Sequence, residues 1–273
     1  MKKFILLSGM ISLFNCDLIF SQADSAAHHK VMLQLTAGPA IPLGSFTYYE
    51  GSHYSNIVGG ADAGIHARLD GKYLLSKNFG FLLACSMSSD NGQVVPLNSI
   101  DPDYSGSHAS SHTTDFSYHT KRWSVYNALA GITLESGGDD MTGYFNLSGG
   151  YQRTQSPETS LSKNTEYSNP AGFGYYVINV SQPHLVSTNF VLDVECGVKV
   201  QLKKRFSLLL GINYFVSKAS FSGTSFYSED SYYTDGDPPH QLYESHISGP
   251  ASSHFYKNIS MLCLNTGVSF TLK

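Results

Sequence analysis

The sequence is poor in charged residues. Asp, Glu, Lys and Arg make up 14% of the 273 residues, whereas an ordinary soluble domain carries about 25%. The net charge is −4 and the pI is about 6.2, so the chain lacks the basic surface that nucleic-acid binding requires. Aromatic residues, in contrast, reach 13%, which is too many for a disordered chain. The composition therefore excludes a nucleic-acid-binding protein and a disordered protein.

Long apolar runs are absent beyond the N-terminus. Residues 1–23 combine Lys2 and Lys3 with an apolar stretch, Phe4 to Phe20, and the small residues Ser21 and Ala23. This order is typical of a secretory signal peptide, and it leaves residues 24–273 as the mature domain. No later run reaches the 18 apolar residues that a membrane-spanning helix needs. The sequence predicts an exported protein that has no membrane-spanning helix.

Cysteine is scarce as well. Three cysteines follow the leader, Cys85, Cys196 and Cys263, and an odd number of them does not fit a complete disulfide framework. Each lies in a segment of alternating apolar residues, where a thiol acts as a small apolar side chain. We expect no metal or cofactor site at these cysteines.

The dominant pattern is alternation with a period of two. From Ala61 to Leu75 every second residue is small or apolar, while the residues between them include His66, Arg68 and Asp70. Successive side chains of a β-strand point to opposite sides, so this segment predicts a strand with one apolar and one charged face. Eight such strands are expected, at Val31–Ile41, Ala61–Leu75, Phe79–Ser88, Trp123–Glu135, Met141–Gln152, Phe190–Gln201, Arg205–Ser217 and Phe255–Leu272.

The connections between these strands alternate in length. Tight turns are predicted at 76–78, 137–140 and 202–204, and long polar loops at 44–60, 89–122, 153–189 and 218–254. Short turns at one end and long loops at the other are typical of an outer-membrane barrel, with the long loops outside the cell. The predicted fold is all-β, an eight-stranded antiparallel up-and-down transmembrane β-barrel.

An eight-stranded barrel has an interior that side chains can fill. The charged faces of the strands would meet there, and buried charges must be paired. We therefore predict a structural network that closes the interior. Its members are expected to be Asp62, His66, Arg68, Asp70, Lys72, Glu135, Asp193, Glu195 and Lys199.

The first part of the mature chain resembles a known family. Leu35-Thr-Ala-Gly-Pro-Ala-Ile-Pro-Leu-Gly-Ser-Phe46, then Gly59 to Gly64, then Lys77-Asn-Phe-Gly-Phe81 are similar to the opening of the outer-membrane β-barrel domain family of Bacteroidota. Its members are similar in plan to outer membrane protein X and to the barrel of outer membrane protein A. The resemblance implies an integral outer-membrane protein without an assigned activity. It also implies the outer-membrane lipid, lipopolysaccharide and the barrel-insertion machinery as partners.

The function is expected to be structural or adhesive. The predicted loops are rich in Tyr beside Ser and Gly, a combination that suits binding of an extracellular ligand. A narrow channel and a lipid A-modifying enzyme are the alternatives. Asp115, Ser117 and His119 are the candidate catalytic set, although alternate residues on a strand need not meet. His108 and His112 have a spacing that would suit a metal only on a helix, which this segment does not predict, so we expect neither an enzyme nor a metal site.

Overall fold

The alternating segments form antiparallel strands in the computed structural model, which describes residues 30–47, 58–93, 111–138, 140–169, 172–235 and 240–272. The predicted signal peptide lies outside the described residues. Within them the fold is an all-β, antiparallel, up-and-down sheet. Its strands are β1 (Lys30–Pro42), β2 (Ala61–Leu74), β3 (Phe79–Gly92), β4 (Ser111–Thr120), β5 (Arg122–Gly137), β6 (Met141–Gln155), β7 (Thr159–Asn169), β8 (Gly172–Gln182), β9 (Val186–Lys203), β10 (Phe206–Asp235) and β11 (His240–Leu272).

Eight of these strands pair in a closed ring. Its order is β1, β2, β3, β5, β6, β9, β10 and β11, and β11 then pairs with β1 from Val31 opposite Leu272 to Pro42 opposite Met261. Each of the eight predicted strands corresponds to one ring strand. Over most of the ring the buried side chains of a strand alternate with more exposed ones, so one face points into the ring and the other away from it.

Strands β10 and β11 continue beyond the ring at one end, where β4, β7 and β8 join them in a second sheet. β10 pairs with β9 up to Ser217 and then, from Phe226, with β8. The resulting sheet has the order β11, β10, β8, β7, β4. We call it the extension sheet, and it comprises β4, β7, β8, residues 226–235 of β10 and residues 240–250 of β11. The expectation of irregular loops at 89–122, 153–189 and 218–254 is therefore wrong over these strands. Ser, Asn and Gly, which are common in loops, here alternate with Leu, Ile and Val on strands.

Three aligned breaks separate the extension sheet from the ring. They lie at Lys121, at 156–158 and at 183–185, where the Lys121 amide donates to the Glu158 carbonyl and the Ser156 amide to the Leu185 carbonyl. The Lys121 ammonium also lies 2.6 Å from the Glu158 carboxylate, and this neighbour holds the pKa of Glu158 below its usual range. Opposite the third break, a Cβ at Gly223 would come within 2.2 Å of the Leu185 side chain. The end of the Leu185 side chain therefore occupies the space beside Gly223 on β10.

Among the described residues, no helix has the length and apolarity needed to cross a membrane. The one helical element that they contain is a short 3₁₀ turn, Gly44–Thr47, after β1. Gly44 has a φ of 60°, a conformation that is unfavourable for residues with a Cβ. The turn directs Phe46 into the ring, where it is fully buried.

Candidate functional site

The ring encloses a cluster of ion pairs around Arg68. The Arg68 Nε donates to Asp70 Oδ1 at 2.7 Å and its Nη1 donates to Asp193 Oδ1 at 2.8 Å. Its Nη2 lies 3.6 Å from Glu195 Oε2. All four residues are at most 1% exposed. Because β2 and β9 lie on different sides of the ring, the guanidinium crosses the interior.

Neutral side chains complete the coordination of the two β9 acids. Asn213 Nδ2 donates to Asp193 Oδ2 at 2.6 Å, and Ser148 Oγ donates to Asp193 Oδ1 at 2.9 Å. Asn146 Nδ2 donates to Glu195 Oε2 at 2.8 Å. Buried carboxylates are tolerated when charge and hydrogen bonds compensate for the lost water, and these donors come from β6 and β10, the neighbours of β9.

Two lysines form a second part of the cluster. Lys199 Nζ lies 2.5 Å from Glu135 Oε2. Lys72 is 1% exposed, and its ammonium lies 4.5 Å from the centroid of the Tyr144 ring, a cation–π arrangement. The Tyr144 hydroxyl donates to Glu195 Oε1 at 3.2 Å, so Tyr144 links Lys72 to the acids around Arg68.

The position of Tyr144 depends on two paired glycines. Gly197 on β9 faces Gly211 on β10. A Cβ on Gly197 would lie 2.6 Å from the Tyr144 hydroxyl, and a Cβ on Gly211 would lie 2.4 Å from it. The aromatic ring therefore occupies the space that two side chains would otherwise fill.

The structure places His66 beside the cluster and Asp62 away from it. His66 is fully buried and its Nδ1 lies 3.1 Å from Ser88 Oγ. The expected inward position is wrong for Asp62, which is exposed and accepts a hydrogen bond from Gln93 Nε2 at 2.8 Å. The β2–β3 register shifts between Ala61 and Gly64, and this irregularity changes which side chains point inward.

A cluster of buried aromatic side chains fills the inside of the ring near the extension sheet. Trp123 is fully buried, and its ring lies 5.3 Å from that of Phe46 and 5.8 Å from that of Phe221, both edge-on. Phe221 stacks on Phe255 at 4.9 Å, and the Trp123 indole donates to the Gly60 carbonyl at 3.2 Å. We use "apolar plug" for Phe46, Trp123, Phe221 and Phe255. The alternation of the sequence does not reveal the plug, because Phe46, Phe221 and the 58–60 segment fall in predicted loops.

Asp90 is a second feature that the sequence did not reveal. Its side chain is fully buried, and neither carboxylate oxygen has a hydrogen-bond partner among the described residues. It lies next to Gly64, where a Cβ would come within 2.5 Å of Asp90 Oδ1. The alternation does extend through Asp90, but the predicted third strand ends at Ser88.

The interior combines filled space with paired charge. Four acids and three bases of the predicted set lie inside the ring. Arg68 contacts Asp70, Asp193 and Glu195, and Lys199 contacts Glu135. Tyr144 links Lys72 to Glu195. Within the described ranges, no group of three or more His, Cys, Asp and Glu side chains has the arrangement of a metal site. His108 lies outside these ranges, as does the side chain of His112.

The candidate catalytic residues lie outside the ring. Asp115, Ser117 and His119 occupy alternate positions of β4 and share one face of the extension sheet. The Cα atoms of alternate strand residues are about 7 Å apart, and among the described residues no hydrogen bond joins the side chains of Asp115, Ser117 and His119, as a catalytic triad requires. The three residues therefore do not form a triad through β4 alone.

Comparison with known proteins gives no family. No family model matches the chain, and no curated protein matches it. The resemblance to the Bacteroidota family therefore stays a prediction.

Solved structures give only distant likenesses. The chain is similar to Neisserial surface protein A, with 13% identity, a TM-score of 0.41 and coverage of 88% of this chain and 96% of the other. It is also similar to the outer membrane protein AlkL, with 10% identity, a TM-score of 0.39 and coverage of 93% and 95%. The similarity to the outer membrane protease OmpT from Escherichia coli has 10% identity and a TM-score of 0.28, and it covers 92% of this chain and 99% of the other.

Proposed function

We propose that the protein is an integral outer-membrane β-barrel, formed by the eight ring strands, with a closed interior and an exposed extension sheet. The observation that carries this proposal is the inverted polarity of the ring. Arg68, Asp70, Lys72 and Asp193 are buried inside it, whereas Leu35, Leu69, Leu83 and many other large apolar residues are exposed on its outer face. Water does not favour such an exterior, but a bilayer does.

The dimensions of the apolar surface support this location. On β10 an 11-residue stretch, 206–216, presents Phe206, Leu208, Leu210, Ile212, Tyr214 and Val216 outward. A tilted membrane strand needs about 9 to 11 residues. Aromatic side chains near both ends of the apolar surface suit the two membrane interfaces. Tyr73, Phe206, Tyr126, Tyr151 and Tyr256 are exposed there.

The closed pairing suits the same environment. In hydrocarbon every backbone amide and carbonyl must be paired, which a sheet achieves by having no free edge. The pairing of β11 with β1 removes that edge from the ring. A signal peptide at residues 1–23, outer-membrane lipid and lipopolysaccharide around the strands, and the barrel-insertion machinery are parts of this proposal.

We propose a structural or adhesive role rather than transport. The Arg68 cluster and the apolar plug both obstruct the interior, which argues against transport. A narrow channel is therefore only the second candidate function. One observation favours a channel. Some buried polar atoms of the described interior, such as Lys72 Nζ and the Asp90 carboxylate oxygens, have no hydrogen-bond partner, and water could solvate them. Steady single-channel current from the purified protein in planar bilayers would favour the channel, and its absence supports the closed barrel.

Catalysis is not part of the proposal. A lipid A-modifying enzyme would change the lipid A of cells that contain the protein. Mass spectra of lipid A from cells with and without the gene are therefore expected to be identical. A mass difference that disappears in the Ser117→Ala and His119→Ala variants would contradict this expectation.

Mobility on gels tests the barrel itself. Closed membrane barrels resist SDS until they are heated, so the unheated protein from a detergent-extracted membrane fraction should migrate faster than the boiled sample. Recovery in the soluble periplasmic fraction without a mobility shift would refute the proposal. The apolar face would then have to be covered by another protein surface.

A further inference from the structure

One face of the extension sheet carries a straight row of small polar side chains. Ser117 pairs with Ser162, Ser162 with Asn179, Asn179 with Ser228, and Ser228 with Ser248. The row thus crosses all five strands without interruption. Because neighbouring strands are about 4.8 Å apart, it is about 19 Å long. We call it the serine row.

A parallel row lies beside it on the same face. His119 pairs with Ser160, Ser160 with Ser181, Ser181 with Phe226, and Phe226 with Pro250. Phe226 is 59% exposed, although large aromatic side chains are usually buried. Together the two rows line a shallow groove with a volume of about 620 Å³.

The opposite face accounts for the stability of this sheet. Leu161, Ile178 and Val180 are buried there, and three aromatic side chains pack against them, Phe116, Tyr118 and Tyr227. The sheet is therefore held by one face, and the serine row is not needed for its packing. Serine side chains also have few rotamers, so ordering them on a ligand costs little entropy.

The groove contains almost no charge. Neither row includes Asp, Glu, Lys or Arg, and His119 is the one titratable side chain in them. The next row on this face does carry charge. It consists of Asp115, Asn164, Val177, Asp230 and His246, and the exposed His246 side chain contacts Asp230 there. A neutral ligand matches this surface better than a phosphate, a sulfate or a charged peptide, because His119 is the one side chain of the two rows that could compensate a ligand charge.

We propose that this groove binds a neutral glycan chain. Serine hydroxyls and the Asn179 amide both donate and accept hydrogen bonds, as the hydroxyls of a sugar ring do. The apolar C–H face of a sugar can pack on the open ring of Phe226. The proposal rests on the proposed function, which places the extension sheet outside the cell. The serine row supplies the repeated polar contacts, and Phe226 supplies the apolar contact.

Binding to defined carbohydrates tests the proposal. The full-length protein in lipid nanodiscs would be titrated with neutral hexasaccharides of glucose, galactose and mannose. Dextran sulfate and polygalacturonate would serve as anionic probes. We expect saturable binding of at least one neutral chain and none of the anionic polymers. Binding of the anionic polymers alone, or of no carbohydrate, would overturn the proposal.

Three variants locate the binding site. Phe226→Ala should weaken binding by about tenfold or more, as truncation of a central aromatic contact does, and Ser228→Lys should abolish it by filling the serine row. Ser220→Lys is the matched control, because Ser220 is exposed on the same strand but outside the groove. Equal binding by all three variants would place the glycan elsewhere and refute the assignment.

The gel-mobility shift keeps the two proposals separate. Each variant would be run unheated and boiled before titration. A normal shift without glycan binding refutes the groove proposal alone. Loss of the shift in the unmodified protein refutes the membrane barrel on which it rests.

Discussion

Arg68 on β2 and Asp193 on β9 are 125 residues apart in the chain, yet the guanidinium donates a hydrogen bond of 2.8 Å to the carboxylate. The contact spans the ring interior and joins strands that do not pair with each other. It therefore depends on closure of the whole ring. The surrounding acids, Asp70 and Glu195, approach the same guanidinium, so a single side chain compensates three buried carboxylates.

Arg68→Met is expected to destabilise the fold by about 3 to 5 kcal/mol, because it leaves buried carboxylates without their counter-charge. Urea titration of the gel-mobility shift in detergent measures this loss. Lys204→Met is the control, since Lys204 is exposed in the β9–β10 turn and should leave the midpoint almost unchanged. Equal midpoints for the two variants would show that the cluster contributes nothing to stability.

Gly211→Ala is expected to cost about 1 to 3 kcal/mol, the usual range for overpacking. The new Cβ would meet the Tyr144 hydroxyl at 2.4 Å. Tyr144→Phe removes that hydroxyl, so the double variant should lose less stability than the sum of the two single variants. The same urea titration gives all three values.

Gly71→Ala provides the control for this cycle. Its Cβ would find its nearest neighbour at 3.9 Å, an ordinary contact, so the substitution should be tolerated. Strict additivity of Gly211→Ala and Tyr144→Phe would contradict the packing of Tyr144 on the glycine pair.

Trp123 is the sole tryptophan of the chain and is fully buried in the apolar plug. Its fluorescence in nanodiscs should be blue-shifted, and brominated acyl chains should barely quench it, because the ring wall separates it from lipid. In a Trp123→Phe/Tyr126→Trp variant the indole would replace a tyrosine that is 45% exposed on the outer face. That variant should be quenched strongly. Strong lipid quenching of Trp123 itself would contradict the inward orientation of the plug.

The Lys121–Glu158 pair gives a pH prediction. Because Lys121 lowers the pKa of Glu158, any stabilisation by the pair is present above the usual glutamate pKa. It is lost as the pH falls through the lowered value. Both side chains are exposed, so the effect should be small. Hydrogen exchange of the extension sheet at pH 7 should be nearly equal for the native protein and Glu158→Gln, and any difference should shrink as the pH falls through the lowered pKa of Glu158. A difference that grows on acidification would have the wrong sign.

Local pattern was enough to predict the ring strands and the polarity of their faces. Alternation identified eight strands, and it indicated that His66, Arg68, Asp70 and Lys72 share a face. Asp62 was placed wrongly because a register shift between Ala61 and Gly64 leaves no trace in the alternation. Asp90 and Phe46 were missed since they lie beyond the predicted strand ends, where composition resembles that of a loop.

Neighbouring residues alone specify the β-class and the two faces of each strand, one apolar and one polar, because successive side chains of a strand point to opposite sides. Strand pairing in the folded protein specifies which charges meet, where the apolar plug lies and that Ser117, Ser162, Asn179, Ser228 and Ser248 form one row. These relationships depend on register between distant strands, and a slip of one residue would turn each side chain to the opposite face.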